Sequence, residues 1–225
     1  MIANEKLSTL SQGLIAHWKL DEEDGERADS LGVNSLTDNN TVTKAEGVLD
    51  NAGQFTLANS EYLSILDNED LSCGAIDYTW AAWVYMDSNP VGVSYILSKA
   101  DNFTADYKLF REITAGKPFV FQVGGAIATS GTTTTTGTWY FVVCWLDTEG
   151  DTVNIQINDG TIDSTTELSI ATNTVDFIIG ATKGAMVVES FHDGRIDSVS
   201  LWKRLLTADE RTALYNDGNG LDYPF

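Results

Sequence analysis

The sequence is poor in cysteine, histidine and positive charge, and each shortage excludes a class of chemistry. It contains two cysteines, Cys73 and Cys144, and no C-x-x-C pair, which excludes a thiolate zinc cluster. Cys144 lies in the apolar stretch WYFVVCWLD and is predicted to be buried, Cys73 precedes a strand, and a disulfide between them stays open. The only histidines are His17 and His192, and no G-x-S-x-G sequence is present, so a Ser–His–Asp hydrolase is disfavoured.

Basic side chains are outnumbered, because 13 lysines and arginines stand against 33 aspartates and glutamates, which gives a net charge of −20. Nucleic acids and anionic lipids carry the same sign of charge, so we expect neither as a partner. The acidity favours a well-solvated surface, and a few of the carboxylates could instead bind a divalent cation. No run of about eighteen apolar residues occurs, so the sequence predicts no membrane insertion.

The beginning of the chain, MIANEKLSTLSQGLIAHW, does not have the charged and then apolar pattern of a secretory signal. We therefore expect synthesis in the cytoplasm. Residues 1–12 are interpreted as a polar lead that frays, and residues 13–225 as one domain, because no linker and no internal repeat interrupts them.

Alternation of apolar and polar residues predicts roughly a dozen strands. Two stretches, YTWAAWVYM and WYFVVCWLD, are apolar on both faces, which is typical of strands in the middle of a sandwich. Most of the large aromatic residues fall at positions expected to point into the core. These are Trp18, Trp80, Trp83, Trp139, Trp145 and Phe141. The fold predicted from this pattern is all-β, a two-sheet antiparallel β-sandwich.

A short helix is predicted at the C-terminal end, after a last strand in GRIDSVSLW. Thr207 and Glu210 stand three residues apart, as in a capping box, in which the two residues satisfy each other's backbone N–H groups. The segment 216–218, with the sequence NDG, is typical of a helix end.

Several segments, in this order, resemble the laminin-G-like (concanavalin A-like) jelly-roll family. They are GLIAHWKLDE, ADSLG, QFTLANSEYLSI, YTWAAWVYM, ILSKA, GTWYFVVCWLD with NIQINDG, and GRIDSVSLWKRLLTADERTALYNDG. The resemblance covers nearly the whole chain from Gly13 onward and implies a jelly roll. The family includes carbohydrate-binding modules, adhesion domains, pentraxin-like lectins and single-domain phage tail and capsid proteins, so the fold alone does not fix the function.

The resemblance also implies a structural calcium ion, since related sandwich modules hold one where the first and last strands lie side by side. Calcium prefers carboxylate and carbonyl oxygens in loops. We expect Asp21, Asp29 and Asp197 to be the ligands, because they lie at the end of the first strand, in the adjoining loop and in the last strand. The alternative is that Asp29 forms a turn and Asp197 pairs with an arginine.

Carbohydrate sites combine an aromatic platform with a few planar polar groups that hold hydroxyls. The loop ADNFTADY has this mixture, and a histidine beside Phe191 adds a second polar group. The predicted sugar contacts are Asp101, Asn102, Phe103, Asp106 and His192. Tyr95 is a further aromatic candidate, and a plain polar loop is the alternative interpretation.

The first expectation for function is a non-catalytic, lectin-like carbohydrate-binding module displayed on a virion or an extracellular surface. The alternative is a structural protein, such as a phage capsid or tail decoration, which binds protein and forms homo-oligomers. A polysaccharide hydrolase or lyase ranks third, because related glucanases carry E-x-D-x-x-E on a strand, whereas the nearest sequence here, DEEDGE at 21–26, is a turn-rich loop. We therefore predict that the chain is not an enzyme.

Overall fold

The computed structural model describes residues 9–101, 105–166 and 170–225. This part of the chain contains strands, one α-helix, and two 3₁₀ turns at Leu57–Asn59 and Asn216–Gly218. The strands and the helix in chain order are β1 (Leu14–Trp18), β2 (Thr37–Asn39), β3 (Thr43–Glu46), β4 (Asn51–Phe55), β5 (Tyr62–Ile65), β6 (Tyr78–Met86), β7 (Ser94–Ala100), β8 (Ala105–Arg111), β9 (Phe119–Val123), β10 (Ala126–Thr129), β11 (Trp139–Asp147), β12 (Thr152–Ile157), β13 (Ile162–Thr165), β14 (Phe177–Ile179), β15 (Thr182–Lys183), β16 (Val188–Glu189), β17 (Gly194–Trp202) and α1 (Ala208–Tyr215).

Two antiparallel sheets form a sandwich, as predicted. The first has eight strands in the order β13-β12-β11-β6-β17-β4-β3, with β1 also paired to β17, and the second has seven in the order β10-β9-β8-β7-β14-β5-β2. Strands β15 and β16 form a separate hairpin. Because β1 pairs with β17, the N-terminal and C-terminal strands lie side by side.

The main core lies between the two sheets, where alternate residues of each strand meet. Trp80 of β6 stacks on Phe177 of β14, with ring centroids 5.1 Å apart, and Trp18 of β1 stacks on the same ring at 5.5 Å. All three side chains are fully buried. Burial of an aromatic side chain of this size is among the largest single contributions to folding.

A second apolar layer covers the outer face of the eight-stranded sheet. Trp83 of β6 and Phe141 of β11 face away from the main core, and both contact Tyr215 at the end of α1, with ring centroids 5.9 and 6.1 Å apart. The helix begins with the predicted capping box between Thr207 and Glu210. Strands β6 and β11 are therefore apolar on both faces because the other sheet covers one face and the C-terminal segment covers part of the other.

The N-terminal lead is held more firmly than predicted where the structure describes it. Leu10 is fully buried, and its carbonyl accepts a 2.7 Å hydrogen bond from the indole N–H of Trp202. The expectation of a fraying lead is therefore wrong for residues 9–12, and residues 1–8 lie outside the described part.

Cys73 and Cys144 are both buried and unpaired, which settles the open question of a disulfide. Among the described residues, no helix is long and apolar enough to cross a membrane.

Candidate functional site

Asp29 forms a turn and is not grouped with the other two expected calcium ligands. Its Oδ1 accepts backbone N–H groups of His17 at 3.0 Å and Leu31 at 3.1 Å, and its Oδ2 accepts those of Val33 at 3.2 Å and Asn34 at 3.0 Å. These bonds fix the loop after β1 and occupy both carboxylate oxygens. The expectation that Asp29 is a metal ligand is corrected for this reason.

Asp197 has an unsatisfied carboxylate oxygen in the interior. It is fully buried on β17, and its Oδ2 accepts N–H groups of Val48 at 2.8 Å and Leu49 at 2.9 Å, while Oδ1 has no hydrogen-bond partner. Burial raises the pKa of this carboxyl to about 7, the two N–H groups oppose the shift, and the charge of Asp21 adds to it. Two of the three expected ligands thus act on each other electrostatically.

Asp21 itself is tied to the same loop, since it accepts the N–H of Asn51 at 3.1 Å, and burial raises the pKa of its carboxyl. The described residues contain no group of three or more His, Cys, Asp or Glu side chains placed to hold a metal ion. Asp21 and the orphaned oxygen of Asp197 nevertheless offer the oxygen chemistry that calcium prefers, which backbone carbonyls would have to complete.

Among the described residues of the predicted sugar-binding loop, Asp106 does not lie at the surface. Asp106 is fully buried, and its Oδ1 accepts the N–H of Gly74 at 3.2 Å. Burial raises the pKa of its carboxyl, and no ligand at the surface can reach it, so this prediction is corrected. Asp101 is half-buried. Asn102 and Phe103 lie outside the described residues.

His192 is also buried rather than displayed. Its Nδ1 lies 2.9 Å from the hydroxyl of Ser94, and its Nε2 lies 3.1 Å from the carbonyl of Tyr85. We assign the proton to Nε2, because a carbonyl can only accept, so Nδ1 accepts from Ser94. Burial lowers the pKa of the imidazole to about 4, and both nitrogens are occupied. The expectation that His192 contacts sugar is therefore corrected.

A row of side chains on the outer face of the eight-stranded sheet was missed by the sequence analysis. We call it the aromatic row, and it consists of Trp139 on β11, Tyr85 on β6, Arg195 on β17 and Gln54 on β4. The strand register places each directly opposite the next. All four are partly buried, and Trp139 packs against the outer apolar cluster that includes Phe141 and Trp83 of the neighbouring row.

Close contacts hold the aromatic row together. The rings of Trp139 and Tyr85 have centroids 5.3 Å apart, and the guanidinium of Arg195 lies 4.7 Å above the Tyr85 ring. Arg195 Nε lies 3.3 Å from Gln54 Oε1, and Gln54 Nε2 donates to the exposed carboxylate of Asp87 at 2.7 Å. A flat cation over a ring and a bonded carboxamide both restrict side-chain rotation. The row is therefore ordered before any ligand arrives.

The backbone also holds Arg195. Its Nη1 donates to the carbonyl of Glu46 at 3.2 Å, at the end of β3. The next residues of that loop, Val48 and Leu49, are the ones that bind Asp197. The buried carboxylate of Asp197 is thus a positioning group for the loop that supports the aromatic row.

A smaller aromatic patch lies on the seven-stranded sheet around Tyr95, the further aromatic candidate for sugar contact. Its ring is half-exposed, 5.2 Å from that of Phe110, and Lys108 Nζ lies 6.0 Å above it. Burial raises the pKa of the Tyr95 phenol, and the carboxylates of Glu112 and Glu189 add to the shift. Because Phe110 is buried, this patch offers a ligand a single ring.

Trp139, which the strand pattern predicts to lie in the core, is partly buried and packs against the outer apolar cluster of Trp83 and Phe141. The alternation of β11 was interpreted correctly, but which strand ends remain uncovered depends on the length of α1. The sequence gives only a weak signal for the aromatic row: Trp139 and Tyr85 lie at the ends of two strands that are apolar on both faces.

Comparison with known proteins identifies the fold. Residues 57–210 match the family model of the concanavalin A-like lectin/glucanases superfamily. A search of the curated proteins gives no match.

Three similar solved structures are a sialidase, one domain of an arabinanase and the binding domain of a mosquitocidal protein. The sialidase of Trypanosoma rangeli, in complex with a difluorinated sialic acid analogue, is 13% identical with a TM-score of 0.69, over 94% of this chain and 34% of that one. Domain 4 of AbnA, a GH43 extracellular arabinanase from Geobacillus stearothermophilus, in complex with arabinotriose, is 16% identical with a TM-score of 0.65, over 88% and 96%. The binding domain of Paraclostridial Mosquitocidal Protein 1 is 17% identical with a TM-score of 0.72, over 93% and 53%.

The chain spans about a third of the length of the sialidase chain. At these identities the likeness shows the fold alone. The prediction that the chain is not an enzyme is nevertheless wrong as it stands, because this fold occurs within a sialidase chain and as a domain of an arabinanase.

Proposed function

The chain belongs to the concanavalin A-like lectin/glucanase superfamily, and we propose that it binds carbohydrate at the aromatic row. The observation that carries the proposal is the make-up of the row: two partly exposed rings in contact, followed by a guanidinium and a carboxamide, with the carboxylate of Asp87 bonded to the carboxamide. Sugars present apolar ring faces and hydroxyl edges, which these two kinds of group fit. The same fold in domain 4 of an arabinanase, in complex with arabinotriose, supports the proposal.

Each residue of the row has a role in this proposal. Trp139 and Tyr85 form the platform under a sugar ring. Arg195 donates to hydroxyls through the N–H groups that Gln54 and Glu46 leave free, and its contact with Tyr85 fixes its position. Asp87 accepts from hydroxyls, and Gln54 holds its carboxylate in place.

Binding to a panel of immobilised polysaccharides tests the proposal. We expect the wild-type protein to bind at least one neutral glycan. Trp139→Ala should lose about tenfold or more in affinity, since truncation of an aromatic hot spot costs about 2 kcal/mol and tenfold corresponds to about 1.4 kcal/mol. The matched control is Tyr95→Ala, which removes a half-exposed ring from the opposite sheet and should leave binding unchanged. Loss of binding in Tyr95→Ala and not in Trp139→Ala would contradict the proposed site.

We also propose that a calcium ion, if bound, uses Asp21 and Asp197, without Asp29. Support comes from the orphaned Oδ1 of Asp197 and the nearby carboxylate of Asp21. The ion would supply positive charge to the buried carboxylate of Asp197 and the half-buried carboxylate of Asp21, and would stabilise the loop between β3 and β4. Display on a virion or an extracellular surface belongs to the proposal as well, and surface labelling of intact particles or cells that carry the protein tests it.

One observation favours the alternative function, an assembly protein. Five large apolar side chains are strongly exposed: Val91 at 96%, Met186 at 88%, Leu66 at 76%, Val33 at 66% and Val187 at 63%. Exposed apolar groups of this kind can mark protein contacts when they are contiguous. Sedimentation velocity without sugar tests this, because an assembly protein should form oligomers that Met186→Ser weakens.

A further inference from the structure

We propose that the aromatic row takes an internal stretch of a neutral, extended polysaccharide, and not an anionic glycan or a single terminal sugar. This inference rests on the proposed function and adds the ligand class. Three features of the row carry it: its length, its open ends and the charges around it.

The row crosses four neighbouring strands, β11, β6, β17 and β4. With strands about 4.8 Å apart, Trp139 and Gln54 are separated by three spacings, or about 14 Å. That length exceeds one sugar ring. A ligand that uses both the rings at one end and Gln54 with Asp87 at the other must therefore be an oligosaccharide lying across the strands.

Both ends of the row lead to exposed residues. Beyond Gln54 the next strand presents Thr43, which is opposite in register and exposed. Beyond Trp139 the next strand across the sheet is β12, and the residues just after it, Asp159 and Gly160, are also exposed. A chain end would be recognised by groups that close around it, whereas a row with exposed residues at each end allows the ligand to continue in both directions.

The charges around the row disfavour an anionic ligand. Arg195 is its single cation, and its donors Nε and Nη1 are already directed at Gln54 and at the Glu46 carbonyl. The carboxylate of Asp87 lies at the polar end, and that of Asp193 accepts from Ser88 and from the N–H of Leu57 close by. With a net charge of −20 on the whole chain, the surroundings repel a glycan acid and leave hydroxyls as the groups to bind.

Titration calorimetry with oligosaccharides of increasing length tests the inference. The probes are cello-, xylo- and arabino-oligosaccharides of one to six units, and oligogalacturonides of the same lengths as the anionic series. For the neutral series that binds, we expect affinity to rise about tenfold or more between one and four units and then to level off. The rise should disappear in Trp139→Ala and persist in Tyr95→Ala.

The anionic series provides the charge test. We expect oligogalacturonides to bind at least tenfold more weakly than the neutral series, and Asp87→Asn to reduce that difference. A single sugar that binds as tightly as the hexamer, or an anionic series that binds more tightly, would overturn the inference while leaving carbohydrate binding intact. If no series and no polysaccharide binds, the proposed function itself fails, and this inference fails with it.

Discussion

His17 and His192 are both fully buried, and their surroundings keep both imidazoles neutral. His17 Nδ1 lies 2.7 Å from the hydroxyl of Ser200, and its ring stacks on Tyr223 with centroids 5.0 Å apart. Burial lowers the pKa of each imidazole from 6.5 to about 4. Protonation between these values therefore occurs in the unfolded chain and not in the folded one.

Acid should destabilise the protein through these two residues. The unfolded state binds more protons than the folded state between pH 6.5 and about 4, so the free energy of unfolding falls as the pH drops through that window. Each histidine contributes a loss of about 3 kcal/mol at the lower end. Urea unfolding of the wild type and of His17→Gln at pH 7, 5.5 and 4.5 measures it. We expect a shallower pH slope in the variant, and an equal slope would contradict the account.

The carboxyl of Asp197 changes the free energy of unfolding with pH in the opposite direction to the two histidines. The pKa of its carboxyl is raised to about 7 in the folded state, so its contribution to stability is complete below the unfolded value near 4 and is lost as the pH rises through about 7. Above that pH the carboxylate is charged and buried unless a cation joins it.

Calcium should therefore raise the melting temperature most clearly at pH 8. A hundredfold excess over Kd would add about 2.7 kcal/mol, or roughly 5–10 °C for a chain of this size. We expect Asp197→Asn to abolish the calcium-dependent shift. The control, Asp29→Asn, should lower the melting temperature by breaking its turn and still respond to calcium. No shift in the wild type after chelation and re-addition would remove calcium from the proposal.

Strands β6 and β11 are each covered on their two faces by different elements. Their inner faces pack on the second sheet, while their outer faces need α1, whose Tyr215 contacts both Trp83 and Phe141. Trp139 packs against this apolar cover but, like Tyr85, stays partly exposed.

Trp83→Ala should destabilise the protein by about 3–5 kcal/mol, because it opens a void between β6 and α1. Thr207→Ala, which removes the helix cap without opening a void, should cost about 1 kcal/mol. Both are measured by equilibrium denaturation. A nearly neutral Trp83→Ala would mean that the outer layer is not packed as described.

Local patterns predict elements well and cross-strand neighbours poorly. The capping box at Thr207 and the strand Gly194–Trp202 could be predicted because each depends on residues close in sequence. The contact of Arg195 with Tyr85 and Gln54 could not be predicted, because it requires the register of three strands that are far apart in the chain. Burial was missed for Asp106 and His192 for the same reason.

At the scale of the whole molecule, the two sheets differ in what their outer faces offer. The eight-stranded sheet carries the C-terminal helix and, beside it, the aromatic row. The seven-stranded sheet carries the partly exposed rings of Tyr95 on β7 and Tyr62 on β5. The resemblance predicted the sandwich and the pairing of its termini, yet it could not say which face binds a ligand, since a fold hosts many sites.

The most direct test of carbohydrate binding at the aromatic row is a ¹H–¹⁵N spectrum of the tryptophan indoles during titration with a neutral oligosaccharide. The chain has six tryptophans, and Trp139→Phe assigns the one in the row. We predict that the Trp139 signal moves with saturation, while those of the fully buried Trp18 and Trp80 stay in place. A saturable ligand that leaves the Trp139 signal unmoved would contradict binding at the aromatic row.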